Sequence, residues 1–172
     1  FHIQKVSYWS RTVIAPLLIL MSEKPSAVNP HGVHIRELFT TAPEEERRYM
    51  VNHTGATLGY AFLALDWVLR RVEPLFPKRW RRRAIDKAVS FVTKRLNGED
   101  GLGGIFPAMA NTVMAFRTLG YAEDHLDYAV ARNAIRKLLV ENGDEAWCQP
   151  CLSPVWDTAL VMQALMEAGE QP

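Results

Sequence analysis

The only two cysteines of the chain stand three positions apart, in the run Trp147-Cys148-Gln149-Pro150-Cys151. A C-x-x-C pair can exchange with disulfides, supply half of a tetrahedral zinc site, or do no chemistry and pack as two small apolar side chains. Exchange needs a thiolate, which a helix N-terminus or a nearby cation favours. The upstream residues Glu141-Asn142-Gly143-Asp144-Glu145 come after a helical pattern instead of a strand, and their carboxylates oppose a thiolate. No β-α-β pattern surrounds them. A zinc site would require a second C-x-x-C or H-x-x-H, and His31 and His34 are too far from any matching pair to complete one. The reading carried forward is packing in a loop, with a redox dithiol and a half zinc site as its alternatives.

A second group with chemical potential is the basic run Lys78-Arg79-Trp80-Arg81-Arg82-Arg83, directly after Val72-Glu73-Pro74-Leu75-Phe76-Pro77. Aromatics beside cations suit a membrane interface, with rings at headgroup depth and arginines on anionic lipid. A solvated helix start fits the same letters, and so does a polyanion by charge alone. No DNA- or RNA-binding motif accompanies the run, which speaks against nucleic acid. Further aromatics gather near loops, at Tyr8, Trp9, Phe106, Trp147 and Trp156. Most such rings in a helical protein are core.

The elements that must hold these residues are helical. With 172 residues, 48% hydrophobic and 23% charged, the composition is that of an ordinary globular chain with one main domain, and the net charge of +1 predicts no acidic partner overall. Apolar periodicity predicts helices over 7–22, bent by Pro16, and over 54–71, 78–96, 108–119, 126–141 and 154–168. Gly120 and Gly169 stand where left-handed caps belong. Residues 23–43 read as a long loop, and Thr41-Ala42-Pro43-Glu44-Glu45-Glu46 as a capped helix start. No stretch shows sustained strand alternation. The longest apolar run, Val13 to Met21, is too short to span a membrane, and the first residues are neither a signal nor a transit peptide. The start at Phe1 and the stop just after an apolar helical run read as a piece of a longer protein.

Asn97-Gly98-Glu99-Asp100-Gly101-Leu102 aligns without gaps on Asn142-Gly143-Asp144-Glu145-Ala146-Trp147. Around it Ala88, Val89 and Val92 fall on Ala134, Ile135 and Leu138, and Thr112 and Leu119 on Thr158 and Leu165. The unit is a helix, an acidic Asn-Gly loop and a second helix. Paired-helix repeats of this length stack into solenoids or close into α/α barrels.

Three motifs, Ser7-Tyr8-Trp9-Ser10-Arg11-Thr12, the loop running from Gly98 to Pro107 (G-E-D-G-L-G-G-I-F-P), and Leu152 to Leu165 (L-S-P-V-W-D-T-A-L-V-M-Q-A-L), together resemble the squalene-hopene cyclases, class II triterpene cyclases. The likeness runs in order over essentially the whole chain. Leu102 stands where that family's repeated glutamine-tryptophan motif has its Trp; the second copy keeps Trp147 but lacks the glycines. The resemblance implies an all-α fold built of α/α barrels, with residues 1–152 in the inserted barrel and 153–172 opening the catalytic one. It also implies an isomerase that protonates squalene, lets the cation run through the folded polyene and releases hopene or hopanol. No cofactor or metal is implied.

By match to the family, Trp9 and Trp156 line the cavity, and Ile105, Phe106 and Pro107 form another wall. A carbocation without a hydrogen-bonding handle needs aromatic π faces and a dry site. Phe106 stands where some members carry Gln. Asp157 is expected to orient by accepting a hydrogen bond, or to serve only as an acidic residue at a helix start. The family's Asp-x-Asp-Asp acid does not occur in residues 1–172, and because it normally lies downstream of S-P-V-W-D-T, this piece alone is expected to be inactive. The resemblance further implies a monotopic attachment to the cytoplasmic face of a bacterial inner membrane, with Phe76 and Trp80 as contacts, and allows a homodimer of the parent. A related oxidosqualene or polyprenoid cyclase, a non-catalytic helical module that binds a partner or membrane, and a thiol oxidoreductase are the alternatives.

Overall fold

A computed structural model of the chain describes residues 2–46, 50–151 and 153–169. Among them lie helices α1 (Tyr8–Glu23), α2 (Thr57–Val72), α3 (Lys78–Thr93), α4 (Phe106–Thr118), α5 (Leu126–Arg136) and α6 (Pro154–Glu167), with one antiparallel hairpin of strands β1 (Leu139–Asn142) and β2 (Glu145–Cys148). The mostly helical expectation holds, each helix starting or stopping within a few residues of its periodicity. The chain divides into two compact units, Phe1–Pro25 with Arg82–Pro172, and Ser26–Arg81, the division falling inside α3.

All the described buried core belongs to the first unit. Helix α4 is its centre because it buries Ala108, Met109, Thr112, Ala115 and Phe116, a stripe at helical spacing, and packs on α1 to one side and α5 to the other. The largest cluster joins Ala15, Val92, Leu102, Ala108, Phe116, Tyr128 and Ala131. Smaller ones join Ile19 with Ile85 and Ala115, and Met109 with Ala134 and Leu138. The two buried threonines hide their hydroxyls inside the helices: Thr12 donates to the Tyr8 carbonyl at 3.0 Å and Thr112 to that of Ala108 at 2.7 Å.

Local chemistry sets the helix ends. Ser7 caps α1 by accepting from the Ser10 amide, and the helix continues through Pro16, whose ring only removes the amide that would have met the Thr12 carbonyl. Helix α4 closes in a Schellman motif. Gly120, at φ 80°, donates to the Arg117 carbonyl and Tyr121 to that of Phe116, while the Tyr121 and Phe116 rings stack with centroids 4.7 Å apart. Gly169, at φ 87°, ends α6 as expected by donating to the Met166 carbonyl.

Three expectations are corrected. The fifth helix stops at Arg136 rather than Glu141, and the next residues form a hairpin in a chain expected to lack strands. Asn142 pairs with Glu145, leaving Gly143 and Asp144 as a two-residue turn; Gly143 has φ 62° while Asp144 does not lie in the left-handed region, the pattern of a type II′ turn with glycine first. Second, residues 41–46 make only a turn, the Glu45 and Glu46 amides both donating to the Ala42 carbonyl. Glu44 is held in an ion pair with Arg36 instead of lying at a helix start. Third, the repeat survives as an order of elements, helix-loop-helix twice, but its two Asn-Gly segments adopt different structures.

The second unit holds no buried side chain among its described residues. Its helix α2 shows Leu58, Phe62, Leu65, Leu69 and Val72 on one exposed stripe.

Candidate functional site

The loop between α3 and α4 is built around Asn97. Its side-chain oxygen accepts from the amides of Glu99 at 2.9 Å and Asp100 at 2.6 Å, and its own amide donates to the Gly101 carbonyl at 3.2 Å. The tight coil that results drives Leu102 fully into the main core cluster. Glycine on either side is a requirement of close approach. A Cβ on Gly101 would lie 2.7 Å from Cβ of Ala134, and one on Gly103 would lie 2.8 Å from Cγ2 of Thr12 and 3.4 Å from Cζ3 of Trp9. Both glycines also have positive φ, 61° and 75°.

That contact brings the first two parts of the site together. The backbone of Gly103 lies against the first turn of α1, where Trp9 is 55% exposed and meets Tyr8 edge to face at 6.4 Å. Two residues on, Ile105 leads into α4, half-buried against the main core cluster. Phe106 and Pro107 occupy its first turn, and the Phe106 ring is 43% exposed.

The cysteine segment supplies the third part. After β2, the Gln149 amide donates to the Leu138 carbonyl at 2.7 Å, the Pro150 carbonyl accepts from the Phe106 amide at 2.9 Å, and Cys151 forms a bridge with Ile105. W-C-Q-P-C is therefore a strap that runs from the hairpin to the start of α4. Both thiols are free and exposed, which corrects their expected role as packing residues. No turn or bend falls on Gln149 or Pro150, the two residues between them. Among the described residues no three His, Cys, Asp or Glu side chains gather as for a metal.

Beyond the strap, α6 opens at Pro154 with Trp156 69% exposed and Asp157 accepting from the Ser153 hydroxyl at 2.8 Å. Asp157 thus accepts a side-chain hydrogen bond in the first turn of α6. Leu152 lies outside the described residues. The structure thus joins Trp9, Ile105 and Phe106 in one neighbourhood, while Trp156 and Asp157 follow it a few residues past the strap. In the second unit Phe76 and Trp80 meet edge to face at 6.2 Å, both exposed, with Leu75, Lys78 and Arg79 exposed around them.

Sequence reasoning missed Gly103 and the strap. The hairpin had a legible signal, Gly143-Asp144 between the short runs L-V-E-N and E-A-W-C. The bridge from Ile105 to Cys151 had none, since nothing local marks a pairing between distant segments. Chemically the assembled residues offer exposed indole and phenyl faces and backbone already bonded to itself. Such a wall suits an apolar or cationic hydrocarbon.

Comparison with known proteins agrees with that chemistry. Residues 1–144 match the model of the squalene-hopene cyclase N-terminal domain. The chain is 51% identical over 170 residues to a squalene-hopene cyclase of Bradyrhizobium diazoefficiens and 49% identical over 175 residues to one of Zymomonas mobilis, covering 98% of this chain and 26% of the relative in each case. A dammaradiene synthase of Dryopteris crassirhizoma is 29% identical over 170 residues, covering 99% of this chain and 25% of that protein. The chain thus spans about a quarter of the length of the curated relatives it matches.

Proposed function

The chain belongs to the squalene-hopene cyclase family, and we propose that it forms part of a class II triterpene cyclase that protonates squalene and closes its rings to hopene or hopanol. The observation that carries this reading is the 49–51% identity, over 98% of the chain, to two proteins of that name. Squalene is taken as the substrate because it is the one that the names of these two relatives carry. In this reading residues 1–152 belong to the inserted α/α barrel, and residues 153–172 begin the catalytic one.

The work of these residues is to surround a cation, not to create it. Each ring closure moves positive charge along a hydrocarbon that offers no hydrogen bond. The π faces of Trp9 and Trp156 stabilise such a charge by about 2 kcal/mol or more where water is excluded. Ile105, Phe106 and Pro107 supply wall, and the bonds from the strap to Ile105 and Phe106 support it by holding their backbone still. Asp157, bonded by Ser153, orients the start of α6 beside Trp156. Residues 1–172 contain no Asp-x-Asp-Asp run, so the proton comes from another part of the cyclase.

Squalene is practically insoluble in water, and the cyclase takes it from a bilayer. No described helix is long and apolar enough to cross a membrane. Phe76 and Trp80, exposed beside Leu75 and Arg79, are the proposed contacts with one leaflet, on the cytoplasmic face of a bacterial inner membrane. The test is incubation with squalene followed by mass spectrometry of the extracted hydrocarbons. The cyclase containing these residues is expected to form hopene and the 172-residue chain none. Hopene from the chain alone, or none from the whole enzyme, overturns the proposal.

A further inference from the structure

Gly103 stands between two walls of the proposed cavity. It precedes Ile105 by two residues, and a Cβ built on it would lie 2.8 Å from Cγ2 of Thr12 and 3.4 Å from Cζ3 of Trp9. The first distance is an overlap, since carbon atoms rest about 3.5–4.0 Å apart, and the second is close to ordinary contact. The loop therefore meets α1 through bare backbone, with the indole of Trp9 beside it.

The two sides of this contact differ in how far they can yield. On the loop side, Leu102 is fully buried in the main core cluster, a Cβ on Gly101 would lie 2.7 Å from Cβ of Ala134, and Ile105 is bridged to Cys151. Phe106 is tied as well, its amide donating to the Pro150 carbonyl at 2.9 Å. On the α1 side, Tyr8, Trp9 and Ser10 are exposed, and the first turn of a helix has fewer backbone bonds than its middle. A side chain at position 103 therefore displaces that turn, and Trp9 with it, in preference to the start of α4. Parting the new Cβ from Cγ2 of Thr12 to ordinary contact takes a movement of roughly 0.7 Å.

We propose that Gly103 is a positioning residue of the cyclase: by having no side chain it sets the spacing between Trp9 and the wall of Ile105, Phe106 and Pro107, and so how far ring closure runs. This rests on the cyclase reading above for the identity of the two walls. A cation whose indole has moved is less stabilised at that stage and is quenched early. It gives up a proton to water and leaves an alkene, or it bonds the oxygen of water, which then gives up a proton to leave an alcohol. Fewer rings are closed in either case.

The experiment uses the whole cyclase and compares Gly103→Ala, Gly103→Ala combined with Thr12→Ser, and Val92→Ala. Val92 is buried in the same core cluster and belongs to neither wall, so its truncation lowers stability without touching the contact. Thr12→Ser removes Cγ2 and keeps the hydroxyl; the nearest atoms to a Cβ at position 103 are then Cζ3 of Trp9 at 3.4 Å and Cβ of residue 12 at 3.8 Å. The double variant regains the spacing while its backbone strain at φ 75° stays, which separates positioning from stability. Two quantities are read: the ratio of incompletely to fully cyclised products by mass spectrometry, and the 19F resonance of Trp9 in protein labelled with 6-fluorotryptophan, assigned by Trp9→Phe. That fluorine sits on the carbon next to Cζ3. Gly103→Ala is expected to raise the ratio about 3-fold or more and to move the Trp9 resonance. The double variant returns both toward wild type, and Val92→Ala moves neither. Gly103→Asn carries the same Cβ in a residue that tolerates left-handed backbone, and replaces Gly103→Ala if that variant does not fold. An unmoved resonance overturns the proposal, as does an unmoved ratio in a cyclase that makes hopene. So does a change that Val92→Ala reproduces or that Thr12→Ser fails to reverse. A wild-type protein that makes no hopene overturns the cyclase reading instead, and the Trp9 resonance then decides the spacing by itself.

Discussion

Replacing Gly103 with Ala tests the contact that joins the loop to α1. At φ 75° an L-residue carries a left-handed cost of roughly 1–2 kcal/mol. The new methyl would lie 2.8 Å from Cγ2 of Thr12, an overlap within a packed helix turn that adds about 1–3 kcal/mol. Stiffening of the unfolded chain returns about 0.4–1 kcal/mol. The expected net destabilisation is about 1–5 kcal/mol, read as the shift in urea unfolding of the 172-residue chain followed by circular dichroism. Gly98→Ala is the control, because its Cβ meets nothing within 4 Å and its φ is not positive; stability there should be unchanged or slightly raised. Thr12→Ser removes Cγ2 while keeping the hydroxyl that bonds Tyr8, so adding it to Gly103→Ala should recover the overlap and leave the backbone cost. If Gly103→Ala behaves like Gly98→Ala, or if the two changes are simply additive, the close approach is not what requires glycine.

Leu102→Ala should lower stability by about 2–5 kcal/mol in the same assay, as expected for a fully buried Leu, and a loss under 1 kcal/mol would mean that the loop does not plug the core. Trp156→Ala, at an exposed position, should change the stability of the 172-residue chain by less than about 0.5 kcal/mol yet reduce hopene formation in the whole cyclase; unimpaired turnover would remove Trp156 from the cavity. Phe76→Ser with Trp80→Ser should weaken binding to anionic liposomes in a sedimentation assay while leaving the circular dichroism spectrum intact, and unchanged partitioning would remove these rings as the membrane contact.

The two Asn-Gly loops show how far letters carry. Asn97 and Asn142 begin matching hexapeptides, yet the first coils and the second is a hairpin. The difference lies in the residues on their C-terminal side. Gly101, Gly103 and Gly104 allow repeated left-handed backbone, whereas Glu145-Ala146-Trp147-Cys148 extend and pair with Leu139-Val140-Glu141-Asn142. Helical period was legible because it is local: Tyr8–Glu23, Leu126 onward and Pro154–Glu167 follow from spacing and from Ser, Pro and Gly at their ends. The thiols, expected to pack, are exposed, because burial depends on which distant segment the strap meets and C-x-x-C in isolation does not reveal that.

By itself the amino-acid sequence determined the helical class, most helix limits and the family, since periodicity, caps and the S-P-V-W-D-T run are properties of neighbouring residues. Only the tertiary structure decided that Gly103 lies against Trp9, that Leu102 fills the core, and that Pro150 and Cys151 strap the start of α4. Those contacts join segments far apart along the chain. Their partners are chosen by shape and by backbone groups that every residue shares, which leave no mark in the letters at either end.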